Sequence, residues 1–241
     1  MRRASLLRLI TTATVLAATT MLATASCADN DSTLFIKGSM LASGNECVFE
    51  AEGDAPLLPS GTMDVAYAST YVMPLLIGNQ LIARGDADKL RTETARIVIR
   101  GAVVNVLSAD GNASLASFST NAGGFVDPAS GTDPGWGVSF VNVISSGLAE
   151  DLRGSLAPLS SEELNISVYV YGDTLGGDEV ESSTLTFPLY VCNGCLVDCS
   201  TASDFDDCTQ FPQDGLELSC FPGQDAPIPC QLLTDPDQFC G

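Results

Sequence analysis

Two stretches of different physics meet at Cys192, and that junction limits what the chain can fold into. Before it, from residue 34 on, runs β-branched, alternating sequence holding one cysteine, Cys47. After it comes Cys192-Asn-Gly-Cys195-Leu-Val-Asp-Cys199 and then an acidic stretch with no Lys or Arg. A chain of this kind has one region able to bury a core and a second that needs covalent help.

The first region reads as strands. Leu164, Ile166, Val168 and Val170 alternate with Asn165, Ser167, Tyr169 and Tyr171, the pattern of a half-buried strand. Similar patterns mark Leu34–Leu41, Cys47–Glu50, Thr62–Ala68, Thr70–Leu81, Gly137–Ile144 and Val180–Val191. Pro74 places Thr70–Leu81 at an edge or a bulge, because proline donates nothing to a ladder. Arg96–Arg100 and Ala102–Leu107 flank Gly101, where a strand bulges, and Asp110-Gly-Asn112 turns the chain into Ser114–Ser119 as a hairpin partner.

Glycine, proline and charge assign Glu52–Ser60, Asp86–Thr94 and Asn121–Gly137 to loops. One helix is expected, Leu148–Arg153, with Ser145 or Ser146 as N-cap and Gly154 beyond its end. The expected fold is mainly β, an antiparallel β-sandwich, immunoglobulin-like or related, with a disulfide-rich irregular C-terminal tail. The expected domains are a signal peptide over 1–26, a polar tether over 27–33, the sandwich over 34–191 and the tail over 192–241.

The N-terminus carries an address. Arg2, Arg3 and Arg8 precede an uncharged apolar run from Leu9 to Ala25, the layout of an export signal. Leu22-Ala-Thr-Ala-Ser-Cys27 resembles a bacterial lipoprotein signal, in which small residues precede the acylated cysteine. Ala23-Thr-Ala25 also suits an ordinary signal peptidase. Cysteine parity favours lipid attachment at Cys27. Nine cysteines are odd, and removing Cys27 leaves Cys47, Cys192, Cys195, Cys199, Cys208, Cys220, Cys230 and Cys240 for disulfides. Seven of these lie in the tail, so complete pairing needs Cys47 to staple the tail to the sheet, among on the order of a hundred conceivable pairings.

Charge and composition narrow the functions. Beyond the leader, seven basic residues face 30 acidic ones, which excludes a phosphate backbone as partner. The same charge could draw cations such as calcium, and Asp204, Asp206, Asp207, Asp214, Asp225, Asp235 and Asp237 gather in the tail. Asp204-x-Asp206-Asp207 lacks the glycine and distal Glu of a calcium loop, so these acids read as solvating. Histidine is absent, which removes His-based nucleophilic triads and His-ligated metal centres.

Cys192-x-x-Cys195 has the spacing of a zinc knuckle and of a redox pair. No second close pair completes a zinc ribbon, and no βαβ context supports the redox reading. Structural disulfides are therefore the main expectation. Trp136, between Gly135 and Gly137, is expected to tuck against the sandwich rather than to serve recognition.

Pro74-Leu-Leu-Ile-Gly-Asn-Gln-Leu-Ile-Ala-Arg84, Phe187-Pro-Leu-Tyr-Val-Cys-Asn-Gly-Cys195 and the leader together resemble the uncharacterised cysteine-containing lipoproteins of myxobacteria. No activity, cofactor or catalytic residue comes with the resemblance. The resulting expectation is a non-catalytic binding or structural module without cofactor or metal. Its membrane contact is an N-terminal lipid anchor, on the outer membrane or the periplasmic face of the envelope. A periplasmic thiol-disulfide protein and a calcium-dependent adhesin stand as alternatives.

Overall fold

A computed structural model describes residues 33–42, 47–85, 92–198, 219–230 and 239, all within one unit, Ser32–Gly241. Cys27, Cys199, Cys208 and Cys240 lie outside them, as do Asp204, Asp206, Asp207, Asp214, Asp235 and Asp237. The leader falls outside too, as does the tether up to residue 32.

The described chain is mainly β. A four-stranded sheet has the order β2-β1-β4-β7, formed by Leu57–Leu58, Leu34–Met40, Tyr71–Asn79 and Gly135–Ile144. A second sheet has the order β3-β10-β8-β5-β6, formed by Gly61–Asp64, Leu185–Cys192, Ser161–Thr174, Ile97–Ser108 and Ser114–Val126. β9, Glu179–Glu181, pairs with β8, and β11, Val197–Asp198, pairs with β12, Ile228–Pro229. Most ladders are antiparallel, but β3 runs parallel to β10 and β11 parallel to β12.

The alternation in β8 does what its period demands. Leu164, Ile166, Val168 and Val170 are fully buried against Ala102, Val104 and Val106 of β5 and against Met73, Leu75, Ile77, Val141 and Val143 of the facing sheet. A helix, α1, spans Ser146–Ser155 and inserts Ala149 and Leu152 into this core. Ser145 caps it, accepting a hydrogen bond from Leu148 N. Gly154 lies inside the last turn rather than beyond it, and the cap falls at Leu156. Arg153 reaches from that turn to donate to the carbonyls of Val65 and Ala68.

Several local expectations change. Cys47–Glu50 is not a strand; Cys47 sits in a turn at φ 54°. Pro74 lies in β4 between two neighbours, not on the sheet edge. Its tolerance has a local reason, since pairing with β1 stops at Ser39–Leu75 and the strand is an edge at that point. The register between β4 and β7 shifts at Tyr71 and Val72, where the extra residue is Val143 of β7. Val180–Val191 breaks into β9 and β10. Of residues 121–137 only 127–134 form a loop, since β6 runs to Val126 and β7 starts at Gly135. The glycines there serve close backbone approach. A Cβ on Gly137 would lie 2.2 Å from Phe125 O, and one on Gly135 1.8 Å from Asp127 O.

A second, thinner apolar layer covers the outer face of the four-stranded sheet. Phe49 and Phe221 meet Phe140 of β7 at ring distances of 5.3 and 6.4 Å. Phe35 meets Trp136 edge-on at 5.6 Å.

Candidate functional site

The parallel register of β3 and β10 places Asp64 beside Cys192, at the ends of both strands. Asp64 is fully buried. Its Oδ1 accepts from Ala66 N at 3.0 Å and Gly194 N at 2.7 Å, and its Oδ2 from Leu196 N at 2.9 Å. One carboxylate thus satisfies three amides that no ladder reaches, two of them in the turn around Cys195.

That turn is held from its other side as well. Asn193 N donates to Ser160 O at 3.1 Å, Asn193 O accepts from Leu159 N at 2.7 Å, and the Asn193 carboxamide donates to Leu156 O at 3.0 Å. Gly194 takes φ +97°, where a side chain is strained, and a Cβ would run into the Phe239 ring.

Cys192 and Cys195 are joined as a disulfide, with Cα atoms 5.8 Å apart. Cys192 is buried and Cys195 exposed. Ligand atoms of Asp64, Cys192 and Cys195 lie within 4.8 Å of one another, the one group of metal-ligand type among the described residues. Sulfurs bonded to each other supply no thiolate, which is the form that binds a metal. No helix begins at Cys192 to favour a thiolate, and a carboxylate neighbour opposes one. The arrangement locks a turn.

A second polar centre joins residues 219–230 to the sheets. Cys47 is bonded to Cys220, 173 residues later. Cys230 is disulfide-bonded as well. Gln224 acts as a surrogate strand. Its carboxamide donates to Val72 O at 2.9 Å and accepts from Val72 N at 2.7 Å, at a residue that lies beyond the end of the β1 pairing at Leu75. Asp225 pairs with Thr62 through its backbone N–H, at 3.0 Å, and through its carboxylate, at 2.6 Å from Thr62 N. Its other oxygen accepts from the Tyr71 hydroxyl at 2.8 Å.

Asp225 is an exposed residue whose carboxylate turns inward, so it is not one of the solvating acids expected of the tail. Burial of that carboxyl raises its pKa, against the lowering effect of the Thr62 and Tyr71 bonds. Burial, followed by the nearby Asp225 charge, pushes the Tyr71 hydroxyl well above the usual tyrosine range.

Trp136 lies beneath Gly53, whose added Cβ would come within 2.9 Å of the indole nitrogen, and Lys37 Nζ sits 5.4 Å from the ring centroid. Cys47, Cys192, Cys195, Cys220 and Cys230 are thus placed in disulfides, while Asp64, Tyr71 and Gln224 had no part in the sequence-based site. No signal marked Asp64, because alternation sets it on the face opposite Met63 and Val65, where a polar residue is expected.

No protein-family model and no curated protein matches this chain. Among solved structures, the chain is similar to the solution structure of a protein of the late embryogenesis abundant (LEA) type, at 14% identity and a TM-score of 0.30. The match covers 56% of this chain and 72% of that one.

Proposed function

We propose that this chain is an exported cell-envelope lipoprotein, acylated at Cys27, whose β-sandwich is a non-catalytic binding or structural module. The observation that carries the reading is how the reactive groups are used. Asp64 spends its oxygens on Ala66, Gly194 and Leu196, and Cys192 and Cys195 are bonded to each other. Nothing at this centre is left poised for chemistry, and the chain has no histidine to supply it. The bridge between Cys47 and Cys220 suits an oxidising compartment, in keeping with the leader.

Intact mass of protein extracted from host membranes, before and after reduction and alkylation, tests this. A chain that begins at Cys27 with acyl additions, and with all eight other cysteines protected until reduction, supports it. A chain begun at another residue without lipid overturns the anchor.

A second reading, a thiol-disulfide exchange protein acting through Cys192 and Cys195, draws on the exposure of Cys195. Thiol titration under mild dithiol reduction separates the two. Selective, rapid opening of this pair favours exchange; opening only on unfolding removes it.

A further inference from the structure

The strands of both sheets end at two poles, and the chain enters the fold at one of them. Leu34 opens β1 opposite Asn79, the last residue of β4, and Thr33 O accepts from Gln80 N at 2.8 Å. Gly135 of β7 pairs with the same Asn79, and Ile97 of β5 pairs with Val126 of β6 and Thr174 of β8. Asn79 Nδ2 donates to Ala95 O at 2.8 Å, and Ile82 bridges Ala129. The entry point, the β4–β5 and β6–β7 connections and the β8–β9 turn therefore share one pole. The bridge between Cys192 and Cys195 lies at the other, where Cys192 pairs with Ser161 at the start of β8.

The entry pole holds large apolar side chains out in water. Ile82 is 67% exposed and Leu175 50%. They stand on facing connections, since Leu81 and Arg84 line one cavity with Thr174, Gly176 and Asp178. Both tips are fixed by backbone bonds. Ala129 N donates to Leu81 O at 2.8 Å and Ala83 N to Ala129 O at 3.3 Å, on either side of Ile82. Leu175 N donates to Arg96 O at 2.8 Å, and Gly176 N to Thr94 O at 3.0 Å. Two aliphatic tips held across one cavity present a paired apolar surface rather than a lone exposed side chain.

Charge narrows what such a surface meets. Residues 80–96 hold four basic and three acidic residues, in a chain of formal net charge −20. Asp127 and Asp178 on the neighbouring connections offset that local excess, so the pole has no cationic face for an anionic surface.

We propose that the entry pole is the membrane-facing surface of this chain, with Ile82 and Leu175 entering the headgroup–acyl boundary of a zwitterionic bilayer. The inference rests on the acylation at Cys27 proposed above. Cys27 and Thr33 are six positions apart, a span of at most about 20 Å. β8, with 14 residues, sets the two poles about 40 Å apart. The tether is too short for the domain to stand on its far pole, so the anchor keeps Ile82 and Leu175 beside the lipid. Two side chains alone hold no protein on a bilayer, but the anchor makes their insertion an intramolecular step, and they then set the orientation. The pole with the Cys192–Cys195 turn faces away from the membrane.

The test reconstitutes the full chain, extracted from host membranes, into phosphatidylcholine vesicles that include a phospholipid with a diazirine in its acyl chain. Intact mass first reads the acyl addition. Illumination then converts the diazirine to a carbene, and peptide mass spectrometry maps the adducts. They are expected on Ile82 and Leu175 and absent from Leu159, which is 63% exposed at the far pole, where its N–H bonds Asn193 O. Accessibility alone would label all three. An Ile82→Asp, Leu175→Asp variant should keep its melting temperature, because both sites are exposed, stay on vesicles through its lipid and lose adducts at neighbouring Leu81 and Gly176. Adducts confined to residues 27–33, or equally frequent on Leu159, overturn the inference and leave the anchor standing. A chain without acyl addition overturns both.

Discussion

Tyr71 donates its hydroxyl to the Asp225 carboxylate at 2.8 Å, joining the start of β4 to a residue 154 positions later. The ring itself packs against Phe187 of β10, at 6.5 Å between centroids, so one side chain ties both sheets to the 219–230 segment. Tyr71→Phe keeps the packing and removes the bond. Because the acceptor is a carboxylate, the expected loss is about 1.5–3 kcal/mol, discounted towards the lower figure because Asp225 is exposed. Equilibrium urea unfolding measures it. An unchanged midpoint would mean that the 219–230 segment is held without this bond.

The pH dependence of stability should carry opposite contributions from two aspartates. Asp110 accepts from Ser108 and Asn112, bonds that bring its carboxyl from 3.8 to about 2. A lowered acid stabilises the fold above its unfolded pKa, and that contribution is lost as pH falls from about 3.8 towards 2. The Asp225 carboxyl is raised instead, so its favourable contribution is present below 3.8 and is lost as pH rises through its higher folded value. Asp110→Asn should flatten the acid side of a melting-temperature profile. Asp225→Asn should raise stability at neutral pH relative to acid. Shifts of the same sign in both variants would contradict the assignment.

At the alkaline end the same reasoning applies to Tyr71. Its raised pKa means stability is intact below the unfolded value of about 10 and declines as pH climbs beyond it. Tyr71→Phe should remove that decline, which a base titration followed by circular dichroism would reveal.

Asp64 should matter more than its single charge suggests. Replacing it by Ala leaves the buried amide of Gly194 without its acceptor, a loss of about 1–3 kcal/mol, and the half-buried amides of Ala66 and Leu196 add smaller losses. Asp64→Asn keeps one oxygen and should fall well short of the Ala loss. Denaturant midpoints for the pair, measured with Cys192 and Cys195 oxidised, check the order. Equal losses would show that charge, rather than acceptor count, holds the turn.

The two described bridges should differ in their worth. Cys47 and Cys220 are 173 residues apart, and Cys192 and Cys195 only three. In the chain-entropy account the first restricts the unfolded state by about 5 kcal/mol and the second by about 2 kcal/mol. Cys47→Ser with Cys220→Ser should therefore destabilise more than Cys192→Ser with Cys195→Ser. The first pair also frees Phe49 and Phe221 from their place over Phe140. Thermal unfolding of the two double variants decides.

What was legible in the sequence follows from which interactions are local. The alternation of Leu164 to Tyr171 reports burial directly, because period two is a property of the strand itself, and the bulge at Gly101 showed for the same reason. Asp225 did not, since its inward turn depends on Tyr71 and Thr62, far away in the chain. Nor did Gln224, whose role depends on β1 ending its pairing at Leu75, short of Val72. The neighbours of Cys47 have strand-like sequence, but its positive φ belongs to the turn that delivers it to Cys220. Parallel pairing of β3 with β10, which sets Asp64 beside Cys192, leaves no periodic trace.

The glycines of residues 121–137 look like turn residues for a related reason, and they give the most discriminating test of the fold. Composition alone cannot separate a glycine that turns the chain from one that lets two backbones approach. In the structure both kinds occur close together. A Cβ on Gly123 meets nothing within 4 Å, whereas one on Gly137 falls 2.2 Å from Phe125 O and 3.0 Å from Val126 Cα. Backbone atoms in an adjoining strand cannot rotate away as a side chain would, so β6 and β7 must move apart. Gly137→Ala should destabilise by about 1–3 kcal/mol, the range for overpacking, while Gly123→Ala should change stability by less than about 0.5 kcal/mol. Urea unfolding of the two variants measures the contrast. Equal effects would mean that β6 and β7 do not close on each other along Gly123–Val126, and that these residues form the loop their composition suggests.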